Sequence, residues 1–124
     1  MKLLLDTHAL IWALAGSRRL SGRAQAAIED PDNEVLVSSI SGWEIAIKKA
    51  SGKLEIPDDL AAAIEGAGFR ERPILLADAR RLESLPDHHR DPFDRMLVAQ
   101  ALVDGIPIVS RDPHVARYPV QVLW

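Results

Sequence analysis

Residues 2–16, KLLLDTHALIWALAG, hold the pattern on which the fold turns. Lys2 to Leu5 is a short apolar run that reads as a buried strand. The polar break Asp6-Thr7-His8 then leads into the apolar segment Ala9 to Ala15, a helix that the Gly16-Ser17 pair stops. A strand that ends on a carboxylate and passes directly into a helix is the opening of a β–α unit, with the acid at the carboxyl end of the strand.

The rest of the chain repeats that order. Ser21 caps a second helix carrying Ala24, Ala27 and Ile28, which ends before the turn Asp30-Pro31-Asp32-Asn33. Val35-Leu36-Val37 is a second strand, followed by a helix from about Ser41 to Ala50 with Ile40, Trp43, Ile47 and Ala50 on one stripe. Pro57, Asp58 and Asp59 start an alanine-rich helix closed by Gly66 and Gly68. Pro73 to Leu76 reads as extended, a helix runs from about Ala77 to Ser84, and Leu85 to Arg90 is a polar loop. Pro92 to Val103 is apolar on nearly every face and reads as a buried helix. Ile106 to Val109 and Val120 to Leu123 are the last strands, with a short helical turn at Asp112-Pro113 between them. Strands alternating with helices imply parallel pairing. The expectation is a single-domain α/β fold of three layers over residues 1–124, a central mostly parallel sheet flanked by helices, without repeats or linkers.

Composition narrows the chemistry. With 124 residues and 48% hydrophobic content the chain suffices for one domain with a real core. Cysteine is absent, which excludes disulfides, a thiol nucleophile and thiolate-built zinc or iron–sulfur sites, so any metal must use oxygen or imidazole ligands. Asp6 and His8 interrupt the amino-terminal apolar run before it reaches the length of a signal sequence, and no run approaches a membrane span. A cytoplasmic protein without membrane contact is expected. The net charge of −3 argues against a generally basic nucleic-acid coat but permits a positive rim around an acidic centre.

Asp6, Glu44, Asp94 and Asp112 each fall where a strand ends or a helix begins. An open parallel sheet gathers the carboxyl ends of its strands on one edge, and oxygen ligands collected there suit Mg²⁺. Each acid also has a capping role open to it. Glu44 completes a capping box Ser41-Gly42-Trp43-Glu44, Asp91 before Pro92 is an N-cap with Asp94 in the first turn, Asp112 before Pro113 repeats the arrangement, and Asp6 caps the helix after it. Capping does not require the acids to converge. Converged carboxylates repel, which raises at least one pKa or demands a cation.

The chain resembles the PIN-domain ribonucleases, and within them the VapC-type toxins of bacterial toxin–antitoxin pairs. The resemblance rests on LLLDTHALIWAL, VSSISGWEIAIKKASGKL, HHRDPFDRMLVAQAL and IPIVSRD in that order, and it covers essentially the whole chain. It implies a PIN-like fold with the family's four acids at Asp6, Glu44, Asp94 and Asp112. Asp91, three residues before Asp94, shares the first helical turn, so that one of the two binds metal directly and the other through water; Asp94 ranks first. Ser110 matches a small hydroxyl near the metal.

The implied activity is Mg²⁺- or Mn²⁺-dependent hydrolysis of RNA, leaving a 5′-phosphate and a 3′-hydroxyl. It needs no 2′-OH, so RNA preference must come from the binding surface. Arg95 and Arg111, beside the acids, are the nearest phosphate-binding candidates, with Arg18, Arg19 and Arg23 on one side and Lys48, Lys49 and Lys53 on another; a solvated helix face explains the outer clusters equally well. His8, His88 and His89 read as loop polarity. The resemblance implies a VapB-type antitoxin, lying in a groove between the helices at residues 9–15 and 41–50, and a homodimer. Two other classes compete. One is a catalytically silent PIN-fold interaction module. The other is a Mg²⁺-binding signalling receiver, which lacks here a second acid beside Asp6 and a lysine at a later strand end.

Overall fold

A computed structural model describes residues 1–52 and 56–124; Lys53, one of the basic residues considered above, lies outside them. Five strands, β1 (Lys2–Leu5), β2 (Glu34–Ser38), β3 (Arg70–Arg72), β4 (Ile108–Val109) and β5 (Val122–Leu123), form one sheet of order β3-β2-β1-β4-β5. Every neighbouring pair is parallel, with Leu5 in register with Val37 on one side and Val109 on the other. Among the described residues six α-helices connect them: α1 (Thr7–Ala15), α2 (Gly22–Glu29), α3 (Ser39–Ala50), α4 (Leu60–Gly66), α5 (Leu76–Glu83) and α6 (Pro92–Asp104). None of the described helices is long and apolar enough to cross a membrane.

The period-2 alternation of β1 and β2 divides the interior into two cores. Leu3, Leu5, Val35 and Val37 point to the side of Leu10, Trp12 and Ala24 from α1 and α2. Leu4, Leu36 and Ile108 point to the side of Leu97, Val98 and Ala101 from α6. Both sheet faces are therefore covered, which is why the central strands are continuous apolar runs rather than alternating ones. The three-layer expectation holds, and the sheet is wholly parallel.

The local signals place the helix ends. Asp6, Ser21, Asp59 and Asp91 each accept a backbone N–H as N-caps of α1, α2, α4 and α6, and Pro92 occupies the first turn of α6. Gly16 and Gly105 close α1 and α6 in the left-handed region, at φ of 63° and 64°, where a side chain would be strained.

Two expectations are corrected. The third strand is Arg70–Arg72, not the apolar run from Pro73 to Leu76, which lies mostly exposed; Leu76 at 90% opens α5. β3 is an edge strand paired only with β2, and its buried residue is charged: Arg72 donates to both carboxylate oxygens of Asp78, 2.7 and 2.8 Å away, and to Asp104 at 2.8 and 3.1 Å. Helix α3 begins at Ser39, capped by the Ser38 hydroxyl, so Glu44 lies a full turn inside it and completes no capping box. Its buried face is Ile40, Ser41, Glu44 and Ile45, while Trp43 and Ile47 of the expected apolar stripe are exposed at 60% and 46%.

Candidate metal centre

Strand order reverses between β1 and β4, because the chain leaves β1 toward β2 on one side and returns to β4 on the other. In open α/β sheets that switch opens a crevice at the carboxyl ends of the two strands. Asp6 follows β1 directly, its N–H donating to Val109 at 3.1 Å, and Ser110 to Asp112 follow β4. The Ser110 hydroxyl accepts the Asp112 N–H at 3.1 Å. From β2 the chain turns into α3 and carries Glu44 inward, and Thr7 and Ser41 tie α1 to α3 through a buried 2.9 Å hydroxyl contact. The first turn of α6 supplies Asp94.

The cluster is acidic and partly starved of partners. Asp6 is buried and accepts the Ala9 N–H at 2.8 Å; burial raises its pKa, opposed by the Ser110 hydroxyl and that N–H. Asp94 is pushed up to about 7, first by burial, then by the neighbouring charges of Asp91 and Asp6, with Glu44 adding and His89 opposing. Asp112 goes the other way: burial works against ionisation, but its bonds to His89 and the His114 N–H outweigh it and hold the pKa below its ordinary value. Glu44 is only 4% exposed; its Oε2 accepts from Lys48 Nζ at 2.7 Å, and its Oε1 is buried with no partner among the described residues. A buried carboxylate oxygen left unpartnered costs free energy unless something positive or hydrogen-bonding meets it. Together with the mutual repulsion felt by Asp94, it makes the crevice a fit for a divalent cation, and the donor set, dominated by carboxylate oxygen, suits Mg²⁺ or Mn²⁺.

Asp91 accepts the N–H groups of Phe93 and Asp94, at 2.8 and 3.3 Å, with its Oδ1. That oxygen is engaged in capping, whereas Asp94 belongs to a group with His89 and Asp112 whose donor atoms lie within 4.8 Å of one another. His89 is the residue that sequence reading missed. Far from mere loop polarity, its Nε2 lies 2.8 Å from Asp112 Oδ2 and 3.2 Å from Asp94 Oδ2. The loop from Leu85 to Arg90 has no periodicity to betray an inward side chain; the one available signal was its position two residues before a helix cap. His8 instead stacks on Trp12 at 5.5 Å, and His88 packs edge-on against Tyr118 at 5.0 Å.

The cationic residues divide. Arg111 lies over the Trp12 ring, 4.6 Å from its centroid, and the pair line a cleft with Asp6, His8, Asp112 and Pro113. Arg95 is committed elsewhere: it donates to the Pro86 carbonyl at 3.0 Å and the Tyr118 hydroxyl at 3.1 Å, and lies 3.9 Å from Asp87. Lys48 is bound to Glu44, Lys49 lies 3.5 Å from Asp58, and Arg18, Arg19 and Arg23 are exposed.

A family model described as PIN domain matches residues 3–121. The chain is 34% identical over 131 residues to Ribonuclease VapC22 of Mycobacterium tuberculosis, a match that takes in 98% of this chain and 97% of that protein. Two solved structures share its fold. The crystal structure of VapBC2 from Rickettsia felis bound to a promoter DNA fragment contains a chain matching at a TM-score of 0.74 and 12% identity, covering 98% of this chain and 97% of that one. A toxin–antitoxin complex from Klebsiella pneumoniae contains another, at 0.61 and 21%, covering 89% and 86%.

Proposed function

The chain belongs to the PIN-domain family, and from that premise we propose that it is a Mg²⁺- or Mn²⁺-dependent endoribonuclease that serves as the toxin of a toxin–antitoxin pair. The observation that carries the reading is Glu44 Oε1, buried without a partner among the described residues in an acidic crevice at the switch between β1 and β4.

Asp6, Asp94 and Asp112 would hold the ion, with Asp91 as an outer carboxylate that fixes the first turn of α6. A bound divalent ion supplies the Lewis-acid charge that makes water a nucleophile at neutral pH and offsets negative charge gathering on the phosphate. Glu44 Oε1 is an acceptor free to orient the attacking water. Ser110, accepting the Asp112 N–H and lying beside Asp6, fixes the relation between the two strand ends. Arg111, braced on Trp12, meets the backbone phosphate that enters the cleft. Arg95, engaged by Pro86 and Tyr118, shapes the loop carrying His89 rather than holding RNA. A 2′-hydroxyl takes no part, so the products carry a 5′-phosphate and a 3′-hydroxyl.

The antitoxin reading draws support from the exposed apolar residues Trp43 and Ile47 of α3, the former edge-on against Phe93 of α6 at 5.4 Å. An antitoxin segment covering them places an arginine within reach of the acids, where it would replace the ion.

The test incubates partner-free protein with cellular RNA and Mg²⁺ or Mn²⁺, beside Asp6→Asn and Glu44→Gln. The parent cleaves, chelator stops it, and each variant loses about 10²–10³-fold in rate. Cleavage that survives chelator, or that both variants retain, rejects the reading. RNA left intact by a folded, cation-loaded parent points to the silent interaction module, and uptake of phosphate from a small phosphodonor points to a receiver.

A further inference from the structure

His89 has a geometry that its two carboxylate contacts alone do not describe. Its Nδ1 accepts the Asp91 N–H at 3.1 Å. A neutral imidazole that accepts at Nδ1 carries its hydrogen on Nε2, so the nitrogen facing Asp112 and Asp94 is a donor. To ligate an ion through Nε2 the ring would have to move that hydrogen to Nδ1, where it meets the Asp91 N–H head on. The Asp91 backbone is also the cap position of α6, three residues before Asp94. Ligation by this histidine would therefore break a bond at the helix start that positions the neighbouring ligand. A ligating histidine ordinarily gives its second N–H to an acceptor; here the second nitrogen is itself an acceptor.

We propose that His89 is a positioning residue of the cation site: its Nε2–H bridges Asp94 and Asp112, holds the two carboxylates converged, and stays outside the ion's own ligand shell. The proposal rests on the reading that these acids take a divalent cation, a reading that the buried, unpartnered Glu44 Oε1 supports independently. Ligand oxygens about 2.1 Å from an octahedral ion are about 3.0 Å apart at adjacent positions and about 4.2 Å apart at opposite ones. The His89, Asp94 and Asp112 donor atoms all lie within 4.8 Å of one another, so the two acids already lie close to the span of one ion's ligands. Two carboxylates brought that close repel; an N–H shared between them lowers the cost of keeping them there. Outer donors of this type are worth about 10–100-fold in metal affinity.

The test uses RNA-free, full-length protein and Mn²⁺ alone, followed by the electron-spin signal of the free ion. Thermal melting in chelator checks that each variant folds. His89→Ala weakens Mn²⁺ binding about 10–100-fold relative to the parent. His89→Gln, whose amide N–H reaches a similar place, recovers most of that loss. Pulsed spin resonance on the loaded parent shows no directly bonded nitrogen. Unchanged or tighter binding by His89→Ala, failure of His89→Gln to recover, or a directly bonded nitrogen in the parent each overturns the proposal. A parent that binds no Mn²⁺ overturns the cation reading itself, and His89's role with it. The spin measurement on the parent needs no variant, so it decides even if His89→Ala does not fold.

Discussion

Asp94 sets the pH dependence of the crevice. Its pKa near 7 means that below that pH a proton occupies the carboxylate proposed to hold the ion, so Mn²⁺ affinity in a calorimetric titration should fall up to about tenfold for each unit below pH 7 and level off above it. The same shift makes a stability prediction. The unfolded chain releases this proton near pH 4 and the folded chain near 7, so over that window the folded state binds more protons and loses stability as pH rises. Asp78 and Asp112, with pKa values held low, act in the opposite sense, stabilising above the ordinary carboxylate range and losing that contribution in acid. Asp94→Asn isolates the first effect: in chelator it should nearly equal the parent at pH 4 and exceed it by up to about 4 kcal/mol at pH 8. Equal stability at both pH values would show that the repulsion at Asp94 is relieved without a cation. The places of Asp6, Asp91 and Asp94 at helix starts were legible in the sequence, because a carboxylate at such a junction is a local pattern; Glu44, a full turn inside α3, is not at one. His89 was not legible, because only the folded loop brings it inward.

At the level of elements, the edge strand β3 and helix α3 carry the lesson. Arg72 and Asp78 are both buried and paired, with Asp104 on the outer side and the Gln100 amide 3.4 Å from Asp78. Burial works to raise the Asp78 pKa, yet the Arg72 guanidinium and the Leu75 N–H hold it below the ordinary carboxylate range. Truncating Asp78 to Ala leaves a guanidinium in the interior short of its main partner and should cost about 3–5 kcal/mol in denaturant melts, with metal affinity unchanged in whatever fraction remains folded. A loss under 1 kcal/mol would mean that Asp104 alone satisfies Arg72. The strand escaped sequence reading because its one buried position is an arginine, and an apolar-run criterion passes over an ion-paired edge to the exposed Ile74-Leu75-Leu76 beyond it. Helix α3 misled in the converse way. Trp43 and Ile47 of its apolar stripe are exposed, and the face turned inward bears Ser41 and Glu44 beside Ile40 and Ile45, because that face lines the acidic crevice as well as the hydrocarbon core.

Across the whole molecule, the parallel order β3-β2-β1-β4-β5 draws toward one sheet edge the candidate residues that span positions 6 to 112. That order follows from alternating strands and helices, which is why the three-layer class was readable in advance while the pairing of an acid with a histidine was not. The apolar surfaces belong to this scale too. Ile74, Leu75, Leu76 and Val103 are exposed as well as Trp43 and Ile47, and Leu76 and Val103 line one cleft, so if that cleft seats a second copy of the chain, Leu76→Asp should shift a sedimenting dimer to monomer without altering Mn²⁺ affinity. An unchanged dimer would place the contact elsewhere. The proposed convergence of the four acids on one ion is tested most directly by anomalous scattering from crystals of the partner-free protein soaked in Mn²⁺. The account predicts one or two peaks within ligand distance of Asp6, Asp94 and Asp112 with Glu44 Oε1 facing them, absent from Asp94→Asn crystals; an ordered crevice that stays empty at saturating Mn²⁺, or a peak bound only at exposed surface carboxylates, would contradict it.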